Sequence, residues 1–255
     1  MVTDLRNREV NGGEVKGTLE DGYELCNPAM DEKKYCLAQV DNYMHLSRRN
    51  FPHRPPFTLQ LEARVSNANA VGTWGFGLWN DPFSLGFGAG GMSRLMPVPP
   101  NAAWFFYAST ENHLALRDDQ PGNGFHVKVF RSPLWPSILS LLGTPGLPAL
   151  LLPPLARMVR RLSRSVVREA SKALDPSVTD WHTYELNWQQ GGVSFKIDST
   201  QVYKTDLSPQ GRLGLVIWID NQYFRFDPQG KLGFGYLKIP QDQSLFVRNL
   251  MVLDK

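Results

Sequence analysis

From Phe57 to Val65 the chain alternates strictly: Phe57, Leu59, Leu61, Ala63 and Val65 share one face, and Thr58, Gln60, Glu62 and Arg64 share the other. A period of two marks a strand with one face buried. Comparable stretches at Thr73–Asn80, Ala103–Ser109, His113–Arg117, Phe125–Phe130, Thr183–Trp188, Val193–Asp198, Leu213–Asp220, Lys231–Ile239 and Leu245–Leu253 are separated by turns carrying Gly, Pro or Asn. Short strands at this spacing predict an all-β fold, an antiparallel sandwich. The chain has no internal repeat.

One region breaks the period. Between Arg131 and Arg157 lie 25 residues without a charge. Six prolines (Pro133, Pro136, Pro145, Pro148, Pro153 and Pro154) leave no proline-free stretch in it longer than the eight residues 137–144. That is too short to cross a bilayer with its backbone satisfied internally. Directly after it, Leu155, Met158, Val159, Leu162, Val166, Ala170 and Ala173 recur at helical spacing, predicting one helix over Leu155–Leu174. Arg157, Arg160, Arg161, Arg164, Arg168 and Lys172 then fall on the opposite face, with only Glu169 to dilute them. The chain therefore reads as a single domain over residues 1–255 with an apolar, basic, amphipathic insertion at about 132–179. Two roles for that helix stay open: a surface helix with a solvated basic face, or an interfacial helix attracted to an anionic membrane surface.

Composition narrows the field. With 42% hydrophobic and 20% charged residues the chain can bury a full core, and a net charge of +3 is too small to suggest nucleic acid as a partner. No Cys/His cluster has metal-ligand spacing, no phosphate-binding glycine motif is present, and Gly86–Gly91 fits neither nucleotide template, so no metal or cofactor is expected. Cys26 and Cys36 could be bridged, but in a reducing compartment they read as ordinary small residues. The N-terminal MVTDLRNREV lacks the apolar run of a secretory signal, so a cytoplasmic location is expected, peripheral at the inner membrane surface if the basic helix engages it.

The segment Trp181-His-Thr-Tyr-Glu-Leu-Asn-Trp-Gln-Gln-Gly-Gly-Val-Ser-Phe-Lys-Ile-Asp198 resembles the aromatic hairpin of laminarinase-like, family 16 glycoside hydrolases and their concanavalin A-like relatives. Phe57–Val65, Gly72-Thr-Trp-Gly-Phe-Gly-Leu-Trp79 and Phe246-Val-Arg-Asn-Leu-Met-Val252 are similar to further strands of that family. The resemblance implies an antiparallel jelly-roll sandwich of the concanavalin A-like kind with a concave face and, in active members, a Glu-x-Asp-x-(x)-Glu strand on it. Alternation would set those carboxylates along one sugar. None of the nine glutamates lies in such a pattern, and the corresponding strand reads Ala102-Ala-Trp-Phe-Phe-Tyr-Ala108. Ordinary family catalysis is therefore not expected.

What remains for a site is aromatic. Trp74, Phe76, Trp79, Trp104, Phe106, Tyr107 and Trp218 are the candidate binding rings, with Asn80 and Asn221 to orient a ligand and Asp81 and Asp220 as weak catalytic candidates. The competing reading makes the rings sandwich core and the polar residues turn formers. Val216, Trp218 and Asp220 should share one face of their strand. His45 and His182 show no partner in sequence, and Arg48 and Arg49 offer an anion contact or a solvated turn. The expected function is a non-catalytic protein binding a glycan or glycolipid. The alternatives are a membrane-peripheral protein handling an apolar small molecule, and a glycoside hydrolase with a non-standard acid/base pair.

Overall fold

The computed structural model describes residues 4–82, 98–134 and 153–254. Gly86–Gly91 and most of the uncharged run, 135–152, lie outside the described residues.

Two seven-stranded antiparallel sheets face each other. The first runs β1 (Arg6–Val10), β4 (Leu37–Asp41), β13 (Gly214–Asp220), β6 (Thr73–Trp79), β7 (Ala102–Ala108), β8 (Gly124–Arg131), β9 (Arg168–Ala173). The second runs β12 (Thr200–Thr205), β11 (Gly192–Ile197), β10 (His182–Gln189), β5 (Phe57–Val65), β16 (Gln243–Asp254), β3 (Gly22–Asn27), β2 (Glu14–Thr18). A separate hairpin pairs β14 (Gln222–Phe226) with β15 (Leu232–Tyr236), and an α-helix, α1, spans Pro153–Val166.

Alternation builds the space between the sheets. The apolar residues of β5 meet Tyr184, Leu186 and Trp188 of β10 in register and are buried with them. From the first sheet Trp74, Phe76, Phe105 and Phe125 descend onto them: Trp74 stacks on Phe125 at 5.1 Å, and the Phe105 ring stands edge-on to Phe195 at 5.2 Å. Burying such a ring contributes about 1.5–3 kcal/mol. In β16 the register shifts between Arg248 and Met251 around Asn249, whose φ of 52° is left-handed. The bulge changes which residues face inward, so Val247 and Val252 are both buried while Met251 and Leu253 face solvent.

The chain departs from the sequence reading in three places. The first 41 residues supply four strands, β1 to β4, where none was expected. The expected strand His113–Arg117 is an irregular segment joined to the sheet system by one bridge, His113 to Arg225. The helix expected to reach Leu174 ends at Val166, and Arg168–Ala173 becomes β9, the edge strand paired to β8. The edge of β8 offers a full row of backbone partners, and Glu169 on β9 meets the buried Lys128 with 2.9 Å between Oε1 and Nζ. Those tertiary terms outweigh a helical pattern worth only tenths of a kcal/mol per residue. Cys26 and Cys36 are free thiols, in keeping with their reading as ordinary small residues.

Candidate ligand site on the outer face of the first sheet

The first sheet has an outer face, turned away from the second sheet, and cross-strand pairing fixes what lies on it. One row runs Gln39, Trp218, Gly75, Phe106, His126; the next runs Asp41, Val216, Gly77, Trp104, Lys128. Glycine at 75 leaves room for the neighbouring ring, since a Cβ there would come within 2.9 Å of Trp218 Cη2. Trp79, Trp104, Phe106 and Trp218 thus form one ring cluster: Trp79 lies parallel to Trp218 at 6.4 Å, and Trp104 is 5.6 Å from Trp218 and 5.5 Å from Phe106. These rings pack with Tyr35, Tyr43, Phe51, Phe130 and Val167 into a second apolar cluster, so Trp104, Phe106 and Trp218 are buried and Trp79 is half-buried.

The remaining sequence candidates are elsewhere. Trp74, Phe76 and Tyr107 point to the opposite side of their strands; the first two are buried between the sheets, and Tyr107 stacks on Trp74 at 5.5 Å. Asn80 is a turn residue, donating from Nδ2 to Pro99 O and accepting from Asn101 N. Asn221 is wholly buried and ties three segments together, donating to Lys34 O and Leu237 O and accepting from Cys36 N. Both amides serve the scaffold. Asp81 sits in the turn after β6 with φ 48°, and its carbonyl accepts from Arg48, so Arg48 is engaged by backbone. His45 and His182 do have partners, Asp4 at 3.0 Å and Asp198 at 2.6 Å, that were not visible in sequence.

Asp220 belongs to the outer face beside Trp218. Its Oδ1 accepts from Thr73 Oγ1 at 2.8 Å and from the backbone N–H groups of Thr73 and Gln222. Thr73 Oγ1 in turn accepts from Trp218 Nε1 at 3.0 Å, so the ring cluster and the carboxyl are joined through one hydroxyl. Burial pushes the Asp220 carboxyl up to about 7, against the lowering effect of those hydrogen bonds. It can therefore hold a proton near neutral pH. The other two buried carboxylates here are engaged: Asp41 accepts from Tyr43 N, Met44 N and Gln39 Nε2, and Glu169 accepts from Leu116 N and Arg117 N and pairs with Lys128.

Sequence reasoning missed Thr73, His126, Lys128 and Glu169. The signal was present in β8, where His126 and Lys128 alternate with Phe125, Val127 and Val129. Polar residues at i, i+2 in an otherwise apolar strand point to a second, polar-bearing interior on its far side.

Helix α1 presents a face opposite to the one its pattern suggests. Ala156, Arg160 and Ser163 face inward, while Met158 and Leu162 are 51% and 55% exposed. Arg160, only 2% exposed, donates to Ala115 O and Phe226 O and pairs with Asp118; Arg164 donates to Leu116 O and reaches the same Asp118. These bonds cap carbonyls that would otherwise be buried alone, which turns a basic residue inward. Arg157 and Arg161 stay exposed on the helix, whereas Arg168 and Lys172 lie on β9, Lys172 donating to Val202 O. Among the described residues no helix is long and apolar enough to cross a membrane, and no cluster could hold a metal ion.

No protein-family model matches the chain, and no curated protein matches it in sequence. Among solved structures it is similar to a family 16 endo-glucanase from Bacteroides ovatus, solved with G4G3G-2F-DNP, with 8% identity over 98% of this chain and 94% of that one and a TM-score of 0.51. A second family 16 protein of the Bacteroides ovatus mixed-linkage glucan locus, solved with the product G4G4G3G, gives 10% identity, the same coverages and 0.48. A Bacillus licheniformis β-glucanase gives 11% identity over 100% and 94% with 0.45. The first of these likenesses shows the fold: an antiparallel jelly-roll sandwich of the concanavalin A-like, family 16 type. Fold alone does not carry function, which has to be argued from the site.

Proposed function

We propose that the protein is a saccharide-binding β-sandwich that holds a glycan or a glycolipid headgroup against Trp79, Trp104, Phe106 and Trp218 without cleaving it. The observation that carries this reading is the ring cluster itself, linked by Thr73 to a carboxyl able to carry a proton. Rings stack on the apolar faces of sugars, and a few polar groups orient them. Half-buried Trp79 is the edge of the cluster that solvent reaches.

Against cleavage stands distance. On paired β4 and β13, Asp41 faces Val216, four residues from Asp220, which sets the two acids about 14 Å apart by strand geometry. Paired-carboxylate mechanisms need about 5–10 Å, and Glu169 lies four strands from Asp220. A hydrolase using Asp220 with a non-standard partner is therefore the weaker alternative. Titration of the intact protein with neutral β-glucan oligosaccharides tests the reading. Trp218→Ala should weaken binding about tenfold or more, and unchanged affinity would refute it.

The outward face of α1 favours a second reading, a membrane-peripheral protein that takes an apolar small molecule into the buried ring cluster. Met158 and Leu162 are exposed beside Arg157 and Arg161, a combination suited to an anionic lipid surface on the cytoplasmic side. Cosedimentation with phosphatidylserine-containing vesicles, lost in Arg157→Glu/Arg161→Glu, would support it; equal sedimentation of both proteins would not.

A further inference from the structure

The connection from β9 to β10 crosses from the first sheet to the second. Leu174 N donates to Phe125 O, which carries the pairing of β9 with β8 one residue further, and Val178 O accepts from Val65 N at the end of β5. Packed sheets stand about 10 Å apart, so residues 175–177 arch over the gap between their ends. A turn in which Asp180 N donates to Ser177 O closes the arch. Beside it lies a cavity of about 320 Å³, the size of a small-molecule site. It is on the inner side of the first sheet, away from the tryptophan cluster of the outer face.

The wall combines rings with a single charge. Tyr107 and Phe125 supply the rings, and both stack on the buried Trp74, at 5.5 and 5.1 Å, which fixes them in place. Leu174 and Val178 supply aliphatic surface. The exposed Asp175 brings a carboxylate, and among the described residues no basic side chain lines the cavity. Lys172, the cation nearest in sequence, donates instead to Val202 O. A second acid bears on the same opening: burial raises the Tyr107 hydroxyl above its ordinary pKa and the Glu111 charge raises it further, so the phenol is neutral.

We infer that this cavity binds an organic monocation whose charge is spread over alkyl groups, a quaternary or alkyl-substituted ammonium, held between the Tyr107 and Phe125 rings and the Asp175 carboxylate. Aromatic rings attract such cations, which are also weakly hydrated and so lose little on leaving water. An anion would meet a carboxylate with no cation to answer it. A metal ion would need more oxygen ligands than one carboxylate and two hydroxyls, those of Ser177 and Thr179, provide. A neutral apolar molecule would use the rings and leave the carboxylate idle. The proposed saccharide site uses none of these residues, so each reading can fail without the other.

Calorimetric titration of the full chain with choline, 3,3-dimethylbutanol and 3,3-dimethylbutanoate tests the inference, since the three present one shape with a positive, no and a negative charge. Choline should bind, the neutral isostere about fivefold more weakly or worse, and the anion not at all. In amide correlation spectra choline should shift Asp175, Ser177 and Thr179 and leave β13 unchanged. Tyr107→Leu, which removes the ring and keeps apolar bulk, and Asp175→Asn should each weaken choline binding about three- to tenfold. Tyr107→Phe should keep the parent affinity. If Tyr107→Leu does not fold, Asp175→Asn, at an exposed position, decides by the same criterion. Equal affinity for choline and its neutral isostere would make the cavity merely apolar and overturn the inference. Parent affinity in the folded Tyr107→Leu protein or in Asp175→Asn, shifts confined to β13, or no binding of choline would overturn it as well.

Discussion

The two faces of the first sheet bury comparable rings and differ in the polar side chains set among them. On the inner face Phe76, Phe105 and Phe125 meet the second sheet among apolar neighbours; Trp188 of the facing sheet has its N–H satisfied by Ser208 Oγ at 2.9 Å, while Trp74 keeps an unpaired Nε1. On the outer face the rings are interleaved with Asp220, Thr73, His126, Lys128 and Glu169, and several polar atoms go unpaired. A proton-carrying aspartate and an ion pair among tryptophans are costly to bury and add little to a core built only for stability. That difference is what supports the proposal of a ligand on the outer face.

Neighbours on β7 sharpen this contrast most directly. Phe105→Ala, on the inner face, should cost about 3–5 kcal/mol in urea unfolding. Phe106→Ala, on the outer face, should cost less and should also weaken oligosaccharide binding. If the two cost the same and binding does not change, the outer face is merely a second core. Of similar size is Glu169→Ala, which strands the Lys128 charge and should cost about 3–5 kcal/mol; denaturant unfolding at pH 7 reads it.

Asp220→Asn probes the carboxyl by its pH dependence. The folded chain holds a proton up to about pH 7, whereas the unfolded carboxyl releases it near 3.8. The native state therefore binds more protons between those values, so the contribution of this group to stability is complete below 3.8, falls as pH rises, and levels off above 7. Asp220→Asn should remove that fall and be more stable than the parent at pH 8, by at most roughly 4 kcal/mol. Parallel pH profiles for the two proteins would show that Asp220 ionises normally. Smallest of all, Leu162→Ser on the outward face of α1 should change stability by less than about 0.5 kcal/mol, since that side chain is 55% exposed. A large loss in thermal unfolding would mean that this face is covered.

Strand existence was readable wherever the period was clean: Phe57–Val65, Thr73–Trp79 and Gly214–Asp220 form close to the expected positions, and Trp218 and Asp220 share a face because alternation is a local property of extended backbone. Three things were not readable. Which side of each strand faces the second sheet separates Trp74, Phe76 and Tyr107 from Trp79, Trp104 and Phe106, and a period of two gives two faces without saying where the partner sheet lies. Arg168–Ala173 carries a helical pattern yet forms a strand. Arg160 reads as solvated yet is buried.

The sequence by itself determined the sandwich, the aromatic richness of its central strands and the lack of a carboxylate ladder, since each depends on residue type and short-range spacing. Only the tertiary structure decided which rings join into one cluster, and that Asp220 beside them is lifted toward neutrality. Those properties come from burial and from partners far apart in the chain, such as Thr73 for Asp220 and Lys128 for Glu169, and no local pattern encodes them.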